Sequence, residues 1–241
     1  MTNSTLVSYT RLSPNHSGLR NHKIDTITPH CIDGHLSLQT LGNVFAPKSR
    51  KASSNYGIDD NGNVGMYVEE KNRSWCTSSA SNDHRAVTIE IASDLSHPYK
   101  IKDKALDGLI RLSADICIRN KIPKLLWENN KNLIGQVDKQ NITIHRWFSN
   151  TICPGDYIVS QLGEVVIEVN KILGIPNQII PKFQPYLVKI NTNTLNYRTG
   201  PGTNHQVAGS VKRGQVFTII EEGFAPNGAI VTGKQIGRAH V

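Results

Sequence analysis

Two residues, His145 and Cys153, have the types and surroundings of metal ligands. His145 follows the short alternating segment 142–144, which predicts a strand that ends at the histidine. Cys153 immediately precedes Pro154 and Gly155, at the predicted start of a helix, where backbone amide dipoles stabilise a thiolate. Imidazole nitrogen and thiolate sulfur both bind zinc, and a catalytic zinc needs three protein ligands and an open position. A third ligand is therefore required.

His30 is the best third ligand in the sequence. It follows the strand predicted over 24–28 and precedes a turn at Asp33 and Gly34. Neighbouring strands of one sheet can bring such distant residues together, although spacing alone does not prove it. A basic nucleic-acid-binding protein with a structural zinc is a competing hypothesis. A structural zinc needs four protein ligands, and no fourth candidate lies at a fitting position.

The elements that must position these residues alternate between strands and helices. Strands are predicted over 24–28, 55–58, 64–68 and 86–92, with a turn at 60–62 and polar loop before residue 24. Helices are predicted after Ser37, over 103–120 with Cys117 in the core, and over 155–173 with Ile172 inward and Gly174 as the cap. This alternation predicts an α/β domain over residues 1–174.

The C-terminal quarter has a different residue pattern. Residues 175–185 contain three prolines and predict a semi-rigid linker. Short strands predicted over 187–190, 195–198 and 216–220 make residues 186–224 a small all-β module, cut short near Gly223. Residues 225–241 do not continue the pattern. Two interpretations stay open for this tail: a disordered terminus, or a non-native segment, since 235–241 can be encoded by a common sequencing adapter.

Composition and charge narrow the class of protein. The chain has 241 residues, 27 Lys and Arg against 19 Asp and Glu, and a net charge of +8. An anionic partner or simple solubility explains this charge, but the basic residues form no run, which weakens nucleic-acid binding. No apolar run is long enough to cross a membrane, and the first residues do not resemble a signal peptide. We therefore expect a soluble protein made in a cytoplasm, with no disulfide framework among its four cysteines.

The segments HRWF at 145–148 and CPGD at 153–156 resemble the zinc-dependent N-acetylmuramoyl-L-alanine amidases of the type-2 class. These amidases share the fold of peptidoglycan recognition proteins and include many phage endolysins. Further segments match in the same order, at 27–30, 52–58, 68–76 and 82–91, the last as the central strand. The resemblance implies a central mixed β-sheet flanked by helices and a zinc ion bound by His30, His145 and Cys153.

The resemblance also implies an activity and catalytic residues. Zinc would activate water to hydrolyse the amide between the lactyl group of muramic acid and L-alanine. Glu90, a charge within an apolar strand, would be the general acid or base, with a solvated strand position as the alternative. Tyr56 would hold the water or the oxyanion, with core packing as its alternative. Thr151 stands where some relatives have lysine, so a neutral hydroxyl would meet the oxyanion.

Five cleft residues are implied as substrate-binding: Trp75, Cys76, Asn82, His84 and Arg146. Cys76 stands where several relatives have histidine, and a small wall residue is its alternative. For Arg146, contact with a substrate carboxylate and a solvated surface position are both open.

The C-terminal module resembles part of a bacterial SH3 domain, through 195–202 and 214–217. This implies peptidoglycan and the anionic cell wall as partners, and no nucleic acid. The expected protein is a phage endolysin that leaves the cytoplasm through a separately made membrane pore. A non-catalytic muropeptide-binding module is the alternative, against which the presence of all three zinc ligands argues. The sequence does not determine the oligomeric state.

Overall fold

The computed structural model describes residues 2–175, 186–199, 206–224 and 230–238. The chain divides into two compact units, Met1–Asn177 and Gln178–Val241. No helix in these described segments combines the length and hydropathy needed to cross a membrane. All four cysteines are free thiols.

The first unit alternates strands and helices, as the sequence predicts. Its strands are β1 (Val7–Thr10), β2 (His16–Leu19), β3 (Thr26–Asp33), β4 (Tyr56–Ile58), β5 (Val64–Met66), β6 (Asn72–Ser74) and β7 (Ala86–Ser93). Its helices are α1 (Leu38–Phe45), α2 (Ala80–Arg85), α3 (Asp103–Asn120) and α4 (Gly155–Ile172).

Five of the strands form one mixed sheet in the order β1-β5-β4-β7-β3. β4 and β5 are antiparallel, whereas β1 with β5, β4 with β7 and β3 with β7 are parallel pairs. β2 and β6 form a separate antiparallel pair. Because parallel neighbours need crossover connections, helices separate the strands along the chain. The predicted mixed sheet with flanking helices is confirmed.

β3 extends beyond its predicted end and carries Pro29 and His30 within the strand. Proline is tolerated in a strand where its missing N–H is not needed by a neighbour. β3 is an edge strand, and the N–H of Ile27 donates outward to the carbonyl of Asn141. Residue 29 has the same outward orientation, so the ladder with β7 stays intact. This extension places His30 inside the sheet.

The two faces of the sheet have different chemistry because side chains alternate along each strand. One face carries isoleucines, namely Ile27, Ile89 and Ile91. They pack with the buried sides of α3 and α4, which contribute Leu109, Leu112, Ile158 and Leu162. Each such side chain contributes about 1.5–3 kcal/mol of burial free energy. The other face carries Thr28, His30, Thr88 and Glu90, which is the first sign of a site.

The predicted helices and their ends are largely confirmed. The Ser37 hydroxyl accepts a hydrogen bond from the Thr40 amide at 3.1 Å and caps α1. Cys117 is buried in α3, and Gly174 ends α4 with φ +72°. The inward placement of Ile172 is wrong, because this side chain is 52% exposed and Leu173 packs on the core instead.

Three local predictions in the first unit are wrong. The polar segment before residue 24 contains β1 and β2, since pairing with β5 and β6 supplies their hydrogen bonds. Residues 82–85 end helix α2 and do not belong to a strand. Segment 142–144 makes only an isolated bridge between Ile142 and Ile27, and His145 begins a short 3-10 turn. Partners distant in sequence decided the structure of the first and third segments, whereas α2 begins at a local cap, where the Ser79 hydroxyl accepts from the Asn82 amide.

The second unit is all-β in its described residues. It contains β8 (Tyr186–Lys189), β9 (Thr194–Arg198), β10 (Val207–Lys212), β11 (Val216–Phe224) and β12 (Ile230–Arg238). β12 lies in the tail that does not continue the sequence pattern, and it pairs with β11. The predicted linker after residue 175 and the end of the SH3-like segment 195–202 lie outside the described residues.

Candidate functional site

The register of β3 and β7 places His30 and Glu90 side by side. The two residues are direct partners in the parallel pair, so both side chains project from the same face of the sheet. Tyr56 pairs with Ile89, one position earlier in β7, and therefore lies on the opposite face. The sheet thus brings Glu90 to the predicted metal ligand and takes Tyr56 away from it.

His145 and Cys153 approach His30 from a segment outside the sheet. His145 begins the 3-10 turn at 145–147, and Cys153 lies directly before α4. The amide of Arg146 donates to the carbonyl of Cys153 at 3.0 Å, which holds the two ends of this segment together. The structure therefore brings all three predicted ligands into one place.

The three side chains form a compact group that we call the primary cluster. Cys153 Sγ lies 3.3 Å from His30 Nδ1, and the rings of His30 and His145 have centroids 4.9 Å apart. One ligand atom from each residue lies within 4.8 Å of the others. Around a zinc ion with bonds of about 2.0–2.3 Å, ligand atoms lie about 3–4 Å apart, so small side-chain adjustments would satisfy a metal.

The nitrogen atoms of the primary cluster are suited to a metal ion. His30 is 1% exposed, and Nε2 of His30 and Nε2 of His145 are buried without a hydrogen-bond partner. Buried polar atoms normally have partners, so an unpartnered pair signals a missing ligand. Burial lowers the pKa of both histidines, that of His30 well below its usual value, which keeps the rings neutral. A neutral ring has a free lone pair for a metal.

Cys153 supplies the thiol of this cluster. A hydrogen bond with Cys31, together with burial, raises the pKa of the Cys153 thiol well above its usual value. A bound cation reverses this effect, because a coordinating thiol is deprotonated outright. Cys31, also buried, was not singled out from the sequence. Cys31 could be recognised as a neighbour of His30 in β3 only once β3 was known to continue past Pro29.

A buried hydroxyl and amide network fixes the segment that carries His145. Thr28 in β3 and Thr143 have hydroxyl oxygens 2.7 Å apart. Asn82 Nδ2 donates to Thr28 at 3.1 Å, and the Thr143 hydroxyl donates to Asn82 Oδ1 at 2.9 Å. These bonds tie the strand of His30 to the residues just before His145. Asn82, predicted to bind substrate, is 5% exposed and has its amide engaged here.

Glu90 lies beside the primary cluster, next to His30 and Cys76. Burial of its carboxyl raises the pKa of Glu90 to about 8. Cys76 Sγ donates a weak hydrogen bond to Glu90 Oε1 at 3.8 Å. The structure thus places Glu90 and Cys76, both predicted site residues, next to one another and next to His30.

Tyr56 is engaged in a buried network on the other face of the sheet. Its hydroxyl donates to Glu70 Oε1 at 2.6 Å and accepts from the Ser4 amide at 3.0 Å. Arg119 donates to both oxygens of Glu70, which is fully buried. This placement favours the packing alternative for Tyr56. Glu70 and Arg119 were missed because charged residues carry no sequence signal of burial until their partners are known.

The other predicted site residues each have a partner outside the primary cluster or at its margin. Thr151 Oγ1 accepts from the Cys153 amide at 3.3 Å, close to the thiol ligand. Trp75 Nε1 donates to Ser17 at 2.6 Å, and His84 Nδ1 accepts from the Asn21 amide at 3.1 Å. Arg146 forms an ion pair with Asp156 at 2.8 Å, while its Nε and Nη2 are buried without a partner.

Comparison with known families identifies the class of protein. The family model described as Amidase_2, N-acetylmuramoyl-L-alanine amidase, matches residues 20–156, which is more than half of the chain. This chain belongs to that family. Family membership and the shared fold support amidase activity on peptidoglycan. A comparison with curated protein sequences gave no match.

Three solved structures illustrate the fold. The chain is similar to the catalytic domain of PlyG, with 15% identity, 72% of this chain and 98% of that chain covered and a TM-score of 0.52. An AmpD derivative has 14% identity, 69% and 99% coverage and a TM-score of 0.51. A mutant endolysin from Bacillus subtilis has 14% identity, 70% and 99% coverage and a TM-score of 0.50. At these identities the likeness concerns the fold alone.

Proposed function

We propose that this chain is a zinc-dependent peptidoglycan hydrolase that cleaves the amide between N-acetylmuramic acid and L-alanine, of the phage endolysin type. One observation carries the proposal. His30, His145 and Cys153 converge from separate segments, with two buried ring nitrogens that have no protein partner. A zinc ion held there would act as a Lewis acid that activates water and polarises the scissile carbonyl.

Glu90 is proposed as the general acid and base. Its carboxylate, beside His30 on the same face of the sheet, would accept the proton that the attacking water loses. It would then give this proton to the leaving nitrogen of L-alanine. The carbon–nitrogen bond breaks, and the products are a carboxyl group on the lactyl unit and a free amino group on the peptide.

Thr151 is proposed to donate a hydrogen bond to the carbonyl oxygen as negative charge develops on it. Its oxygen accepts from the Cys153 amide, which leaves its own O–H free to donate. Donors aimed at a developing oxyanion are effective because they are fixed before the reaction. Tyr56 and Asn82 have no part in this proposal, since their polar groups are engaged within the core.

The remaining proposals concern substrate and cell-wall binding. Trp75, Cys76, His84 and Arg146 are proposed as walls of the cleft. The second unit is proposed as an SH3-like module that binds the cell wall, which would raise the local concentration of the enzyme on an insoluble substrate. The net charge of +8 supports an anionic wall as partner.

Product analysis tests the proposal directly. Purified protein is incubated with peptidoglycan, with a chelator, and with zinc restored after chelation. We expect new L-alanine amino groups that disappear with the chelator and return with zinc. New reducing sugar ends would indicate a glycosidase instead. Binding of muropeptide without new ends would indicate a non-catalytic recognition module.

A further inference from the structure

A second group of potential ligands shares His30 with the primary cluster. His30, Cys76 and Glu90 each offer one atom, and these atoms lie within 4.8 Å of one another. We call this group the secondary cluster. Cys76 Sγ and Glu90 Oε1 are 3.8 Å apart. Three residue types that bind transition metals are thus gathered within the reach of one metal ion.

Each member of the secondary cluster is held in place by the fold. His30 and Glu90 are fixed by the parallel register of β3 and β7. The Cys76 amide donates to Asp83 Oδ2 at 3.1 Å, and the following residue, Thr77, donates its hydroxyl to the same carboxylate at 2.6 Å. Because Asp83 is 2% exposed, the segment around Cys76 is anchored to a buried carboxylate.

The chemistry of this donor set is selective. We propose that His30, Cys76 and Glu90 form a second metal position that takes thiophilic divalent cations such as Zn²⁺ or Co²⁺. Thiolate and imidazole favour these ions, whereas Mg²⁺ and Ca²⁺ require oxygen ligands. Nε2 of the buried His30 has no protein partner, so this ring has a nitrogen available to a metal ion in either cluster.

The two clusters exclude one another. A neutral imidazole has one lone pair, so His30 serves a metal ion in one cluster at a time. An ion in the secondary cluster would displace the thiol proton of Cys76 and occupy the Glu90 carboxylate. The part of the inference that concerns competition rests on the proposed function, because it requires a metal ion in the primary cluster. The existence of the second position does not.

Cobalt binding by variants of the full chain tests the inference. The double variant His145→Ala with Cys153→Ser removes two primary ligands and leaves the secondary cluster intact. Loaded with Co²⁺ and freed of excess metal, it should retain one cobalt per chain with a thiolate-to-cobalt absorption band. Adding Cys76→Ser should abolish the band and weaken binding by about tenfold or more, since even outer contacts change metal affinity 10–100-fold.

Matched controls make each outcome decisive. Cys117→Ser removes another buried thiol, in α3, and should leave the cobalt band of the double variant unchanged. No cobalt in a folded double variant, or a band that survives Cys76→Ser, overturns the inference. If the double variant does not fold, the single variant Cys153→Ser replaces it. The cobalt band of Cys153→Ser should be lost when Cys76→Ser is added. A band that persists in that combination overturns the inference equally.

One further variant separates this inference from the proposed function. Cys76→Ser in the otherwise unchanged chain should keep its metal, now held only by the primary cluster. If this variant loses all bound metal, the secondary position stands and the proposed zinc site of the primary cluster fails.

Discussion

Cys153 Sγ lies 3.3 Å from His30 Nδ1, although the two residues are 123 positions apart in the sequence. His30 is held in the middle of an edge strand, and Cys153 lies at the entrance to the last helix of the first unit. Neither local structure requires the other. The contact is created by the segment that runs along the free edge of β3, where Ile142 bridges to Ile27 and the Arg146 amide donates to the carbonyl of Cys153.

The first prediction concerns the primary cluster. His145→Ala should lower both bound zinc and amidase activity more than 100-fold, because loss of a ligand exceeds the roughly 10–100-fold effect of an outer contact. Metal content after dialysis and release of L-alanine amino groups are the measurements. His22→Ala, a partly exposed histidine in the same unit, is the control and should keep both. Full activity in His145→Ala would contradict the proposed site.

The second prediction concerns the network beneath His145. Asn82→Ala leaves the Thr28 and Thr143 hydroxyls without their amide partner, so the free energy of unfolding should fall by about 1–3 kcal/mol. Zinc affinity should fall about 10–100-fold, because the segment leading to His145 loses its anchor. Urea unfolding and zinc titration check the two effects. Ser81→Ala, an exposed neighbour in α2, should change stability by less than about 0.5 kcal/mol; equal effects would refute the positioning role.

The third prediction separates the two interpretations of Tyr56. Tyr56→Phe removes a buried hydroxyl that donates to Glu70, so stability should fall by about 1–3 kcal/mol. Because the hydroxyl lies on the opposite face from His30, turnover by the folded variant should equal that of the unchanged protein. Thermal unfolding and kcat of the purified variant are the measurements. A fall in kcat of about 100-fold or more would restore Tyr56 as a catalytic residue.

The fourth prediction uses two glycines that differ in backbone conformation. Gly62 has φ +76°, and a Cβ there would lie 2.2 Å from the carbonyl oxygen of Lys104. Gly62→Ala should therefore destabilise the protein by more than about 1 kcal/mol. Gly163 lies within α4 with open space around it, so Gly163→Ala should stabilise by about 0.5–1 kcal/mol. Unfolding midpoints that shift in the same direction for both variants would contradict this account.

The fifth prediction concerns pH. His35 contacts Asp60 and Asp94, each at 2.8 Å, and these hydrogen bonds raise the pKa of His35 above its usual 6.5, with Lys102 opposing them. The stabilisation is complete below the unfolded-state pKa and is lost as pH rises through the folded-state pKa. His35→Gln should therefore cost more stability at about pH 5.5 than at about pH 8.5, by less than about 1 kcal/mol because the pair is exposed.

Denaturant unfolding at the two pH values measures this difference, and added salt should reduce it. Gln39→Ala, a polar change at an exposed position in α1, is the control and should show no pH dependence. A larger loss for His35→Gln at the higher pH would contradict the ion-pair explanation.

Much of the fold was readable from the sequence because its signals are local. The apolar spacing of α3 and α4 follows from which side of a helix meets the core, and both helices lie where that spacing predicts. The Ser37 cap and the Gly174 stop depend on a few neighbouring atoms. Short strands such as β1 and β2 were missed because their hydrogen bonds come from distant segments.

The candidate site was likewise predictable only in part. Residue types alone indicated His30, His145 and Cys153 as a possible ligand set and marked Glu90 as a charge that needs a reason. Only the tertiary structure decided which side of the sheet each residue occupies. It placed Glu90 and Cys76 beside His30. It also gave the Tyr56 hydroxyl Glu70 as its partner and buried Asn82 against Thr143. Strand register decides the outcomes for Glu90 and Tyr56, because a shift of one residue moves a side chain to the opposite face.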